Sequence, residues 1–205
     1  DIGNQLKNLT NTIVGRGEIS RYQYPLYDNA GNRKQMIAPD GVHDYGYTTI
    51  YELQEEKVDN VVTHSYDYDN VGNREVTDGV VYESNNLNQY DRVGGLTYFY
   101  DGNGNLTNDG ANNSCTYDEE NRLTTLQNAQ HNVQYEYDAL NRRVSKRVDG
   151  IVTNYILDGG REIEERNALG NLQVEYVYGE GLDEVLTMTK RNRTVYFISD
   201  GLGST

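Results

Sequence analysis

Carboxylates are the residues best supplied for chemistry in this chain. There are 32 Asp and Glu in 205 residues, and a pair of them can act as general acid and general base. The closest groupings are Asp118-Glu119-Glu120 and Glu162 with Glu164 and Glu165. At this density such neighbours follow from composition alone, and exposed turns give no reason for a shifted pKa. Asp101-x-Asn103-x-Asn105 matches the opening of a calcium loop, but the twelfth position, where a bidentate Glu belongs, is Asn112. The same stretch reads as a hairpin turn that recurs without those ligands. His43, His64 and His131 lack the spacing of metal ligands. Cys115, the single cysteine, occupies a slot where other repeats place a tyrosine and reads as a small buried thiol. Gly201-x-Gly203-Ser204 lacks the Gly-x-Ser-x-Gly frame of a nucleophile elbow. Asn8-Leu9-Thr10, Asn105-Leu106-Thr107 and Asn192-Arg193-Thr194 fit the glycosylation acceptor pattern, although Asn-Leu-Thr is also repeat vocabulary. The expectation is no catalytic residue, no cofactor and no metal.

The element that must position any of these groups is a tandem repeat. Its pattern is Tyr-x-Tyr-Asp-x-x-(Gly/Asn)-(Asn/Arg)-(Arg/Leu), seen at Tyr66 to Arg74, Tyr98 to Leu106 and Tyr135 to Arg143, with near copies at Pro25 to Arg33 and Tyr117 to Leu123. Degenerate copies carry Thr48, Asp158 and Gly179 in the Asp slot. Successive Asp slots at 28, 48 and 69, and again at 118, 138, 158 and 179, step by 20 or 21 residues, and Asp200 closes the series. Between 69 and 118 the phase slips: Asp91 and Asp101 both fit the turn pattern yet lie ten residues apart.

Alternation puts Tyr66 with Tyr68, Tyr98 with Tyr100, Tyr135 with Tyr137, and Tyr176 with Tyr178 on one face of their strands. With Trp absent and Phe rare, the first three pairs are expected to be largely buried. Asp28, Asp69, Asp101, Asp118 and Asp138 are expected to cap type I turns with a bulge, and Gly31, Gly72, Gly104, Asn121 and Asn141 to supply positive φ. The expected fold is all-β: tandem hairpins forming a curved, spiralling antiparallel sheet, part of a hollow shell. Tyr51 to Val58 is the best helix candidate and also fits a degenerate repeat. The whole of 1–205 reads as one continuous repeat domain, irregular near 85–115.

Bulk properties narrow the function. Twenty-one Gly against two Pro indicate tight turns rather than a disordered linker. A net charge of −14 with scattered basic residues argues against a nucleic-acid partner. No apolar run approaches a membrane span, and the chain reads as a piece of something longer.

These motifs resemble the YD-repeat or RHS family, which includes bacterial RHS toxins, ABC-toxin BC components and teneurins. The likeness rests on the tandem units, Gly104 to Thr107 and Asn121 to Leu123. Tyr176 to Glu184 and Asp200 to Thr205 are similar to the approach to the RHS-associated core, so 176–205 is expected to begin that core. The resemblance implies a secreted or cell-surface protein whose hollow shell holds a C-terminal effector of the same polypeptide, with Tyr66, Tyr68, Tyr98, Tyr100, Tyr135, Tyr137, Tyr176 and Tyr178 lining the shell. A surface adhesion or carbohydrate-binding region without cargo, facing a carbohydrate or a surface receptor, is the alternative. The family's self-cleavage segment is Asp-Pro-rich, and this chain has no Asp-Pro, so no catalytic residue carries over.

Overall fold

The computed structural model describes residues 5–181 and 183–198, and in them every regular element is a strand. Ten strands make the first sheet in chain order: β1 (Asn8–Ile13), β2 (Gly17–Tyr27), β3 (Arg33–Ala38), β4 (Gly41–Tyr47), β5 (Leu53–Val58), β6 (Val61–Tyr68), β7 (Arg74–Thr77), β8 (Val80–Ser84), β9 (Tyr90–Val93) and β10 (Leu96–Thr97). Eleven make the second: β11 (Phe99–Tyr100), β12 (Leu106–Asn108), β13 (Ser114–Tyr117), β14 (Leu123–Gln127), β15 (Asn132–Tyr137), β16 (Arg143–Val148), β17 (Ile151–Asp158), β18 (Arg161–Asn167), β19 (Leu172–Tyr178), β20 (Val185–Lys190) and β21 (Arg193–Tyr196). Within each sheet every strand lies beside its neighbours in sequence, so both are open antiparallel meanders. The chain divides into two compact units, one running to Gly95 and one spanning Leu96–Phe197.

Two kinds of turn join the strands. Five-residue turns carry Asp or a substitute at the first position, whose N–H bonds the fifth residue's carbonyl, as in Asp28 to Asn32 and Asp138 to Arg142, both 2.9 Å. The fourth residue takes positive φ: Gly31 (93°), Gly72 (88°), Gly104 (86°), Asn121 (61°) and Asn141 (63°). A register shift sits beside each, at Asp67/Tyr68 and Glu136/Tyr137 for example, because positive φ at the fourth position adds one residue to one side of the hairpin. Several of the other turns are tight pairs with both residues at positive φ, such as Asp59-Asn60, Asp78-Gly79 and Asp149-Gly150, whose twist matches the strands.

Two local readings change in three dimensions. Tyr51 to Val58 is not helical: Tyr51 is the positive-φ residue (70°) of the Thr48 turn, and β5 follows. The Thr48 hydroxyl, accepting the Glu52 N–H at 3.1 Å, stands in for the usual carboxylate. Asp91 is no turn residue. It lies in β9 and accepts the Asn85 amide at 3.0 Å, and the turn is Asn85 to Gln89. With Asn85 restored to the series, the turns at 69, 85, 101 and 118 step by 16, 16 and 17 residues. The phase slip is a contraction, made by strands of two to five residues from β7 to β13.

The core is thin. Tyr24, Met36, Val133 and Val174 are the buried apolar side chains among the described residues. The repeat tyrosines Tyr66, Tyr68, Tyr100, Tyr135, Tyr137, Tyr176 and Tyr178 are half-buried rather than largely buried, as a single layer of sheet leaves their edges in water. Tyr98 is half-buried too and belongs to neither sheet, between β10 and β11.

Candidate functional site

The repeated chemistry is a carboxylate closing a turn. In the turns at Asp28, Asp69, Asp101, Asp118 and Asp138, one carboxylate oxygen accepts the N–H groups of the third and fifth residues. Its other oxygen takes the fifth side chain: Asn32, Asn73 and Asn105 through Nδ2 at 2.8–2.9 Å, Arg122 and Arg142 through Nε at 2.7 Å. These donors favour the ionised form and hold all five carboxyls below the usual range. The fifth side chain is the largest influence for Asp28, Asp69 and Asp101, and the Arg122 and Arg142 backbone N–H for Asp118 and Asp138.

The fifth residue also reaches the next turn along the edge. Asn73 Nδ2 donates to Asn88 Oδ1 at 3.1 Å, Asn105 Nδ2 to Asn121 Oδ1 at 2.9 Å, and Arg122 Nη1 to Asn141 Oδ1 at 2.8 Å. Arg142 reaches the Gly159 carbonyl, and Arg161 the Gly179 carbonyl. An Asn at the fourth position thus does two things: it tolerates the left-handed backbone and presents an acceptor to its neighbour.

Tyrosine makes the third contact. In five places the Tyr before a turn sends its hydroxyl back to a carbonyl just past the preceding turn of the same edge. The pairs are Tyr47 to Arg33 (2.9 Å), Tyr68 to Leu53 (2.8 Å), Tyr117 to Leu106 (3.0 Å), Tyr137 to Leu123 (2.9 Å) and Tyr178 to Glu162 (2.8 Å). The ladder has already ended there: β14 and β15 pair only as far as Thr125↔Gln134, leaving the Leu123 carbonyl open to the strap. Burial pushes the Tyr47, Tyr117, Tyr137 and Tyr178 phenols up. Arginines cover the ring faces, with Arg122 at 5.1 Å from Tyr137, Arg161 at 5.2 Å from Tyr178, and Arg143 between Tyr155 (4.8 Å) and Tyr135 (5.9 Å). Basic residues scattered in sequence are therefore aligned in space.

The remaining candidates are drawn into this scheme. Asp101 spends both oxygens on N–H donors, and Asn103 and Asn105 turn their amides to Asn121. Glu120 pairs with Arg122 at 2.7 Å, Glu162 with Arg143 at 3.1 Å, Glu164 with Arg166 at 2.5 Å, and Glu165 accepts the Tyr176 hydroxyl at 2.7 Å. Cys115 is half-buried opposite Leu126, its thiol pushed up by burial. Asp200 and Gly201 to Thr205 lie outside the described residues. Sequence reasoning missed the turns at Asn85, Asp109 and Asn167, which use the same caps. Their vocabulary (Asn85-Asn86-Leu87-Asn88-Gln89, Asp109-Gly110-Ala111-Asn112-Asn113, Asn167-Ala168-Leu169-Gly170-Asn171) is that of the repeat without Tyr-x-Tyr in front.

Residues 117–152 match the RHS Repeat family. The tRNA3(Ser)-specific nuclease WapA of Bacillus spizizenii is 30% identical over 182 residues, 78% of this chain and 8% of that protein. The tRNA nuclease WapA of Bacillus subtilis is 33% identical over 147 residues, 65% of this chain and 6% of that protein. The chain thus spans under a tenth of the length of these relatives. Among solved structures, the TcdB2-TccC3-Cdc42 complex aligns at a TM-score of 0.39 and 12% identity, covering 86% of this chain and 10% of that one. The Asp-capped turns repeated along both sheets, the tyrosine before Asp28, Asp69, Asp101, Asp118 and Asp138, and the sequence match across the Asp118 and Asp138 turns make this chain part of an RHS/YD-repeat protein.

Proposed function

We propose that this array is a stretch of wall in a longer secreted or cell-surface protein, enclosing an effector domain C-terminal to it in the same polypeptide. In this reading 1–205 is one continuous repeat region leading into the RHS-associated core from 176 onward. Tyr66, Tyr68, Tyr98, Tyr100, Tyr135, Tyr137, Tyr176 and Tyr178 line the wall. The observation that carries it is how the polar side chains are used. The carboxylate closes its own turn, the amide and the guanidinium reach on to the next turn, and the phenol reaches back to the preceding one, at the same positions along the edge. A catalytic centre needs polar groups converging on one concavity, whereas these run along an edge. The array itself is assigned no enzymatic activity. The WapA relatives are nucleases by name, and we place any activity of that kind in the effector. A net charge of −14 suits a wall that stays dispersed and has no affinity for nucleic acid.

Limited proteolysis of the full-length parent tests the proposal. The C-terminal region should survive protease many times longer than the same region expressed alone. Equal digestion rates would remove the container and favour an adhesion or carbohydrate-binding surface.

A further inference from the structure

Histidine has no place in the repeat pattern, yet two of the three histidines join one network across the first sheet. His43 on β4 is buried, with Nδ1 2.9 Å from Glu56 Oε1 on β5 and Nε2 3.2 Å from Asp40 Oδ1 in the β3–β4 turn. Glu56 is the cross-strand partner of His64 on β6. His64 Nδ1 lies 2.9 Å from Asp78 Oδ2 in the β7–β8 turn, and Asp78 Oδ1 accepts the Ser65 N–H at 2.7 Å. Asp40, His43, Glu56, His64 and Asp78 therefore alternate acid and base from the β3–β4 turn to the β7–β8 turn. Neighbouring charges have partners of their own, although Arg33 also acts on Tyr45 and the Tyr66 ring under Arg74 stacks on His64. Lys57 is held by Glu55 at 2.5 Å, Asp44 by Gln35 at 2.8 Å, and Arg33 and Arg74 lie over the rings of Tyr24 and Tyr66. Tyr45 stacks on His43 and faces Glu56 across the strands. Its phenol is pushed up to about 12, by burial first, and stays neutral.

We propose that Asp40, His43, Glu56, His64 and Asp78 form an acid-tightened clasp: proton uptake by the two imidazoles locks the hairpins from β3 to β8 together, and proton release loosens them. With both imidazoles charged, signs alternate along the network. With both neutral, three carboxylates share the cluster without cations between them. The titration has the matching direction. The Asp78 hydrogen bond raises His64. Burial is the largest single influence on His43 and lowers it, but the hydrogen bonds to Glu56 and Asp40 together leave it raised. A base raised above its unfolded value of about 6.5 contributes stability that is complete below that value and is lost as pH rises through the folded value. Asp40 and Asp78, lowered chiefly by the hydrogen bonds of His43 and His64, stay charged until the pH falls below about 4. The clasp is therefore tightest between these limits.

Two readouts on the 205-residue chain test this. In an NMR titration of the imidazole Cε1–H signals, His43 and His64 should titrate above about 6.5, and Glu56→Gln should lower both midpoints. Midpoints at or below that value, or a Glu56→Gln effect confined to His43, would overturn the network. In urea unfolding, the midpoint should rise as the pH falls from about 8 to about 5.5, where histidine takes up its proton. Asp78→Asn, an exposed and conservative change, should shrink that rise. A flat wild-type profile, or an undiminished rise in Asp78→Asn, would overturn the proposal even if Glu56→Gln does not fold.

Discussion

Along the edge that carries Asp69, Asp101 and Asp118 the turns between these residues come every 16 or 17 residues, and on either side every 20 or 21. The turn chemistry does not change: Asp69, Asp101 and Asp118 accept the same two N–H groups that Asp28 and Asp138 accept. What changes is strand length. β10 to β13 have two, two, three and four residues, against six, six, eight and seven in β15 to β18. Burial follows length. No described residue from 69 to 118 is buried, whereas Val133, Ser145 and Val174 are buried in the longer hairpins. The comparison teaches that turns set the register and strands set the stability. Within the second sheet a strand can be shortened to two or three residues, as β11 and β12 are, while the Asp101 turn between them stays capped and clipped to the Asp118 turn.

The largest expected difference between the two regions is in tyrosine. Tyr137→Ala should cost about 2 kcal/mol, below the ~3 kcal/mol scale of a fully buried aromatic because the ring is half-buried, with ring packing and the strap to Leu123 lost together. Tyr100→Ala, between two-residue and three-residue strands, should cost less than half as much. Urea midpoints of the two variants decide it, and equal midpoints would show that strand length does not govern burial energy. Next comes the backbone. Gly72→Val should cost about 1–2 kcal/mol, since φ of 88° strains a β-branched residue, while Gly72→Asn should be close to neutral. A Cβ there meets only Glu52 Oε1, at 3.7 Å, so the cost is backbone strain and not collision.

Hydrogen exchange should draw the same line without mutation. Amides of β10 to β13 should exchange at least about tenfold faster than those of β15 to β18, because short strands with little buried surface open locally. Uniform protection would mean that the turns carry the stability. Acid should erase the contrast. The turn carboxyls lie below their ordinary values, so they contribute stability above the unfolded value of about 4 that is lost as pH falls through the folded values. Since both regions use this cap, circular dichroism should show both losing strand signal together below about pH 4. The smallest effect belongs to the clips between turns: Asn141→Gly keeps the backbone angle, removes only the acceptor for Arg122, and should lower the unfolding midpoint least of the set.

Much of this was legible in the residues. Tyr-x-Tyr alternation specifies which side chains share a face, because the strand period is two. Asp followed by Gly or Asn three residues later specifies a capped turn, because both requirements are local. Family membership follows from the same local vocabulary. Other features needed the tertiary structure. The tyrosine hydroxyls find carbonyls 11 to 16 residues earlier, and the fifth turn residue finds a neighbour on the next hairpin, so both depend on which strands lie side by side. The contraction was invisible because Asn85 caps a turn without a Tyr-x-Tyr before it, while Asp91 copies the pattern from within a strand. His43, Glu56 and His64 meet only because β4, β5 and β6 are adjacent, each offering the right residue at one level of the sheet. Local sequence determined the turns and the faces. The order of the strands decided the contacts, because a side chain that crosses a sheet takes its partner from register and not from spacing.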